Sequence, residues 1–295
     1  MLMYWRSFRK WKATLMLSLP NPDYSSMRAD FDRIFIDGDG TPTLSDAWKD
    51  FLEAFCAEYT YHRGRPADDF MGNEVPNEIK ETVLSAYGEI QDRGKLSAMR
   101  AMIKLLAREC PYCGFGPIED LDHHLPKGVY KLLSIFALNL VPCCATCNRK
   151  KKRKPASDPT LQWVHAYLDA IDTYKTLSAT VDIDLATKKF DVCFSFIKQP
   201  GMSDEYFSRL NNHMDEFGLR QRFPKQVNLY LTSLEAPLEM LFAEKGANGV
   251  RELLANTEKA AHRAFGLNNW RRALAEALGA SDEFCEGGYR IALGK

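Results

Sequence analysis

CPYCGFGPIEDLDHHLPKGVYKLLSIFALNLVPCCATCNRKKKRK, residues 110–154, is the stretch on which the reading of this chain turns. Two C-x-x-C pairs, Cys110/Cys113 and Cys144/Cys147, enclose thirty residues. Each pair makes a two-thiolate bite, and two bites complete a closed tetrahedral zinc site, which holds structure and keeps no position open for chemistry. Gly114, directly after the first pair, suits a knuckle turn. A redox role competes for any C-x-x-C, but one pair suffices for it, in a strand–helix setting that is absent here. Cys143 could replace Cys144 as a ligand, although the spacing favours Cys144. Structural zinc contributes on the order of 10–16 kcal/mol in small peptide sites. A segment carrying Gly114, Gly116, Pro117, Pro126, Gly128 and Pro142 reads as short strands and tight loops and would need that support.

Cysteine usage around this stretch points the same way. Five of the eight cysteines fall within 38 of 295 residues, whereas a disulfide framework would spread them. The chain therefore reads as a metal-binding protein of a reducing, cytoplasmic compartment. Cys56, Cys193 and Cys285 read as buried apolar thiols. No run reaches the roughly 18 apolar residues that span a bilayer, so no membrane partner is expected. Arg6, Arg9, Lys10 and Lys12 precede a short apolar run, 13–19, without a small-x-small cleavage site; this reads as a basic arm, or as sequence upstream of a start at Met16, rather than a signal peptide.

Formal net charge is zero, with 39 basic and 39 acidic residues. Its distribution is uneven: residues 104–154 hold ten basic and four acidic side chains, a net of about +6 against about −6 elsewhere. Most of the excess is the run Arg149, Lys150, Lys151, Lys152, Arg153 and Lys154. As a continuation of a helix through Lys154, ended by Pro155, the run would touch phosphates without reading sequence. A solvated helix end is the plainer account, and the composition also fits a nuclear localisation signal. Lys127 and Lys131 are weaker candidates for phosphate contact.

The flanks are mostly helical in pattern. Residues 1–43 read as an irregular lead-in. Residues 44–60 repeat apolar side chains every three or four positions behind a candidate N-cap, Ser45. Residues 77–89, 96–109 and 161–176 look like further amphipathic helices. Residues 190–197 alternate as a strand that can pair with 181–185, and 203–280 is helical with breaks at Pro224, Pro237 and Gly246. Three segments follow: 1–100, 101–158 and 159–295. Aromatic residues at helical spacing, and His62, His165, His213 and His262, read as ordinary packing groups.

Between the thiol pairs lies Leu121-Asp122-His123-His124-Leu125-Pro126-Lys127, then Asn139-Leu140-Val141, then Cys147-Asn148-Arg149-Lys150. Here the chain resembles the HNH, or ββα-metal, endonuclease family, whose zinc-containing branch reads C-x-x-C, D-H-x-x-P, N-L-V and C-x-x-C-N-x-x-K in that order. The match covers about 45 residues, roughly a seventh of the chain. The resemblance implies an α+β, mostly helical protein with a small ββα-metal unit and a four-cysteine zinc knuckle embedded between helical flanks. It implies a phosphodiester hydrolase in which His123 is the general base and Asp122 and Asn148 bind a catalytic Mg²⁺ or Mn²⁺. Asn139 would sit on the second strand and orient the His123 ring.

Those residue types suit the chemistry: a histidine titrating near neutrality can take a proton, and carboxylate and amide oxygens suit a hard cation. Many family members carry histidine where Asn148 stands, which makes imidazole-preferring metals less fitting here. Strand alternation puts Asp122 and His124 on one face and His123 on the other, so His124 is the alternative base. The ending, Asn269-Trp270-Arg271-Arg272 through Cys285-Glu286-Gly287-Gly288-Tyr289, resembles tails of bacterial phage-defence HNH proteins. The expected partner is nucleic acid, DNA favoured. No G-x-x-x-x-G-K-[ST] occurs, so a nucleotide-driven gate would be a separate ATPase or sensor. The competing function is a non-catalytic zinc module that binds nucleic acid or protein; it has no use for Asp122, His123, Asn139 and Asn148 together.

Overall fold

The apolar spacing of residues 44–60 produces the helix that anchors the N-terminal half. In the computed structural model, which describes residues 19, 21–22, 25–151 and 155–295, α1 (Met27–Ile34) precedes α2 (Asp46–Tyr61). Ser45 caps α2, its side chain accepting from the Trp48 N–H. Leu52, Cys56 and Tyr59 form the buried face of α2. α3 (Asn77–Ser85) tightens into a 3₁₀ turn, Ala86–Ile90, and α4 (Ser97–Leu105) follows. One apolar core joins these helices to the segment beyond them, with Phe31, Leu52, Val83 and Ile103 packed in a cluster with Leu121 and Leu140. The basic arm and the expected start at Met16 lie outside the described residues, as do Lys152, Arg153 and Lys154.

After α4 the helical period stops. β1 (Asp120–His123) and β2 (Leu140–Cys143) pair antiparallel, Asp120 opposite Cys143 and His123 opposite Leu140. α5 (Ala145–Lys150) closes a ββα unit. The expected helix 145–154 is cut short: Lys151 is already extended, at φ −62° and ψ 131°.

Residues 161–176 are not the amphipathic helix their spacing suggests. Short 3₁₀ turns, Pro159–Leu161 and Ile171–Thr173, bracket irregular chain. Side chains there compete for the backbone. His165 Nδ1 accepts from the Tyr167 and Leu168 N–H groups, and Asp169 accepts from the His165 N–H. Arg209, on α6 (Asp204–Glu216), donates to the Gln162 and Trp163 carbonyls and pairs with both oxygens of Asp169 at 3.0 and 2.6 Å. The apolar residues of the stretch are still buried, Trp163, Ala166, Tyr167 and Ile171 among them. Burial was legible in the spacing; the conformation was set by polar side chains.

Contacts divide the described residues into two compact units. One holds the described residues up to Ala170 with Asp204–Phe217; the other holds Ile171–Ser203 and Gly218–Lys295. In the second, β3 (Leu177–Asp184) and β4 (Lys189–Phe196) form the expected hairpin in an antiparallel register from Leu177/Phe196 to Asp184/Lys189. Cys193 faces out from it, exposed rather than buried. α7 (Leu219–Lys245) runs through Pro224 and Pro237, where breaks were expected. Each proline removes a backbone donor and costs about 3 kcal/mol in a helix interior. The buried stripe Phe223, Val227, Leu231 and Leu238 rewards helix strongly enough to offset this. Gly246, at φ 62°, does end it. α8 (Ala247–Phe265), α9 (Trp270–Ala280) and α10 (Tyr289–Ala292) complete the unit. Asn268 ties it together, accepting from the Thr176 and Leu177 N–H groups and donating to the Ile171 and Tyr174 carbonyls. The architecture is thus α+β, mostly helical, with two small antiparallel sheets.

Two outcomes follow for the first unit. Asp169→Ala leaves the buried Arg209 guanidinium unpaired and should cost about 3–5 kcal/mol in denaturant unfolding; a loss below 1 kcal/mol would show the pair to be dispensable. His213 is pushed down to about 4 by burial, the Tyr112 carbonyl opposing the shift. Between that value and about 6.5 the unfolded chain holds a proton that the folded chain lacks, so stability falls as pH drops through this window. His213→Gln should therefore take up about one proton fewer on unfolding at pH 5.5, read by calorimetry in buffers of different ionisation enthalpy; unchanged uptake would mean His213 is already charged when folded.

Candidate functional site

Four buried thiols converge where the ββα unit meets the loop before it. The Sγ atoms of Cys110, Cys113, Cys144 and Cys147 all lie within 4.8 Å of one another, and Cys113 and Cys144 are 4.0 Å apart. Sulfurs around a tetrahedral zinc, each at 2.3 Å, stand about 3.8 Å apart, so the tetrad can hold a zinc ion. The loop is shaped to allow this. Gly114 adopts φ 69° and its N–H reaches the Cys110 carbonyl at 2.7 Å, closing the knuckle turn. A side chain at Gly116 would meet Cys144 Sγ at 2.7 Å and Cys113 Sγ at 3.3 Å, so only glycine leaves room for the sulfurs. The Gly116 and Cys147 N–H groups point at Cys113 and Cys144 sulfur, 3.4 Å each. Cys143 is outside the tetrad, and burial pushes its thiol well above the usual range. This resolves the choice between neighbours in favour of Cys144.

Alternation along β1 separates the residues expected to carry chemistry. Asp120 and Asp122 share one face and Leu121 and His123 the other. On the first face, Asp122 Oδ2 accepts from the Tyr112 hydroxyl at 2.7 Å and from Lys151 Nζ at 2.6 Å. Asn148, on α5, donates its amide to Asp120 Oδ2 at 2.9 Å. Asp122 and Asn148 carry carboxylate and amide oxygens, donor types that suit Mg²⁺ or Mn²⁺ better than softer metals. Sequence reasoning counted Asp120 only as charge and passed over Tyr112 entirely.

Lys151 departs most from expectation. Its side chain is only 2% exposed, since its ammonium also donates to the His123 carbonyl at 2.5 Å and lies 4.5 Å from the centre of the Trp163 ring. Because α5 ends one residue earlier, Lys151 turns inward, whereas Arg149 and Lys150 are exposed. Lys127 stands 3.8 Å over the Tyr87 ring, and Tyr87 packs edge-on against the His123 ring.

On the other face, His123 Nε2 lies 2.9 Å from the Ser134 carbonyl. A carbonyl only accepts, so Nε2 carries the proton and Nδ1 carries a lone pair. Burial pushes this histidine down to about 3, which keeps it neutral at physiological pH. Asn139 sits in the 3₁₀ turn ahead of β2, not on the strand, and the His123 ring is held by Ser134 instead. Asn139 acts on the backbone: its amide donates to the Leu125 and Leu133 carbonyls and its oxygen accepts from the Leu125 N–H and the Tyr59 hydroxyl. It thereby fixes the loop that carries Ser134. His124 is buried against His165, ring centroids 4.0 Å apart, with Nδ1 unpartnered among the described residues.

Single substitutions separate the neighbouring thiols. Cys144→Ser should lower bound zinc below one ion per chain and destabilise the first unit, whereas Cys143→Ser should retain one zinc; elemental analysis beside thermal unfolding reads both. Loss of zinc from the Cys143 variant alone would reverse the assignment.

Comparison with known proteins finds no matching family model and no matching solved structure. The chain is similar to protein ea31 of Escherichia phage lambda, 37% identical over 117 residues, which is 38% of this chain and 39% of the phage protein. It therefore spans well under half the length of that relative.

Proposed function

We propose that this chain is a metal-dependent HNH-type endonuclease that hydrolyses nucleic-acid phosphodiester bonds, with DNA the favoured substrate. The observation that carries the reading is the His123–Ser134 bond. It leaves a neutral, oriented imidazole with its Nδ1 lone pair at the end of a strand whose preceding residue is Asp122. Asp122 and Asn148 would hold the cation through their oxygens. When bound, Mg²⁺ or Mn²⁺ supplies charge neutralisation at the phosphate and its leaving oxygen. His123 would take a proton from the attacking water as the new P–O bond forms and the bond to the leaving oxygen breaks, with the cation and His123 on opposite sides of the phosphate. The thiol tetrad clamps hairpin to helix and takes no part in the step. Among the described residues, Arg149, Lys150 and Lys127 are cations available for phosphate contact, giving salt-dependent and sequence-independent affinity. Phage defence or restriction, under control of a separate ATPase or sensor, is the favoured setting.

Two observations favour a second reading, a non-catalytic zinc module that binds nucleic acid or protein: Asp122 is already paired with a buried ammonium, and burial holds His123 well below the near-neutral range that suits a general base. The two readings part in a plasmid cleavage assay with Mg²⁺ or Mn²⁺, wild type against His123→Ala at equal zinc content. The nuclease reading expects activity to fall by about 100-fold or more. Equal cleavage by both would remove His123 as the base and turn attention to His124→Ala. Absence of cleavage across DNA substrates and both metals would favour the binding module.

A further inference from the structure

Tyr112 lies inside the first thiol pair, between Pro111 and Cys113. Three contacts hold it. Its ring stacks on Phe217 with centroids 4.8 Å apart and planes 10° from parallel. Its carbonyl accepts from His213 Nε2 at 2.8 Å. Its hydroxyl, fully buried with the ring, donates to Asp122 Oδ2 at 2.7 Å. Lys151 donates to the same oxygen, so two donors set the rotation of the carboxylate. A buried phenol needs one acceptor. Here that acceptor is an ionisable side chain ten residues away rather than a nearby carbonyl.

We propose that Tyr112 is a positioning residue that couples the thiol tetrad to the acidic face: the knuckle turn fixes Tyr112, and Tyr112 fixes Asp122. The proposal rests on the reading of Asp122 as a ligand of the catalytic cation. Without the hydroxyl, the carboxylate is free to rotate toward Lys151, which then competes with a divalent ion for both oxygens. Outer partners that orient a metal-binding side chain typically matter by about 10–100-fold in metal affinity.

The test uses the full chain loaded with zinc and titrates it with Mn²⁺, followed by electron paramagnetic resonance or calorimetry. Wild type should bind Mn²⁺, and Asp122→Ala should abolish that binding. Tyr112→Phe keeps the ring on Phe217 and removes only the hydroxyl; it should keep one zinc per chain and bind Mn²⁺ about 10–100-fold more weakly. Wild-type Mn²⁺ affinity in Tyr112→Phe would overturn the coupling and leave the reading of the site standing. Absence of Asp122-dependent Mn²⁺ binding in wild type would overturn that reading and the coupling with it. Should Tyr112→Phe shed zinc, Phe217→Leu removes the stack, keeps the hydroxyl and the thiols, and carries the same expectation and the same refutation.

Discussion

The convergence of Cys110, Cys113, Cys144 and Cys147 is the constraint on which the ββα unit depends. Its two strands have four residues each and its helix six, too few for backbone pairing alone to hold them. Chain entropy opposes bringing Cys113 and Cys144 together across thirty intervening residues. Four buried thiols at metal-binding separation give that closure a reason, since a bound zinc would link the loop before β1 to the first turn of α5 at once. The glycines at 114 and 116 belong to the same constraint: one makes the turn and the other leaves space for sulfur.

Around that clamp, polar side chains do what short elements cannot. Asn139 satisfies its amide against the backbone of the loop between the strands and accepts from Tyr59, so α2, the loop and β2 meet at one buried group. Arg209 does the same for the irregular chain after α5, satisfying carbonyls that a helix would have satisfied internally. Lys151 closes the acidic face from the other end of α5. Buried polar groups of this kind are costly when unpaired, which makes them specific: each tolerates one arrangement of its neighbours.

Local signals were the legible ones. The C-x-x-C pairs, the Ser45 cap, the hairpin expected of 181–185 with 190–197 and the strand alternation that splits Asp122 from His123 all depend on residues close in sequence. The misreadings share one cause. Residues 161–176 have helical spacing but are held open by an arginine more than thirty positions later. The prolines of α7 are tolerated because a buried stripe outweighs them. Lys151 looks like its basic neighbours until α5 ends and an acceptor pair becomes reachable.

From the sequence alone came the residue types of the candidate site, the four thiols and their order, because metal ligation and strand register are written in short-range spacing. Only the tertiary structure decided which groups those residues meet: Ser134 behind His123, Tyr112 and Lys151 on Asp122, Asp120 on Asn148, Asn139 on the loop backbone rather than on an imidazole. These partners lie six to twenty-nine residues apart in the chain. No periodicity encodes such pairings, since they follow from which buried donors and acceptors remain once the core and the thiol clamp have closed.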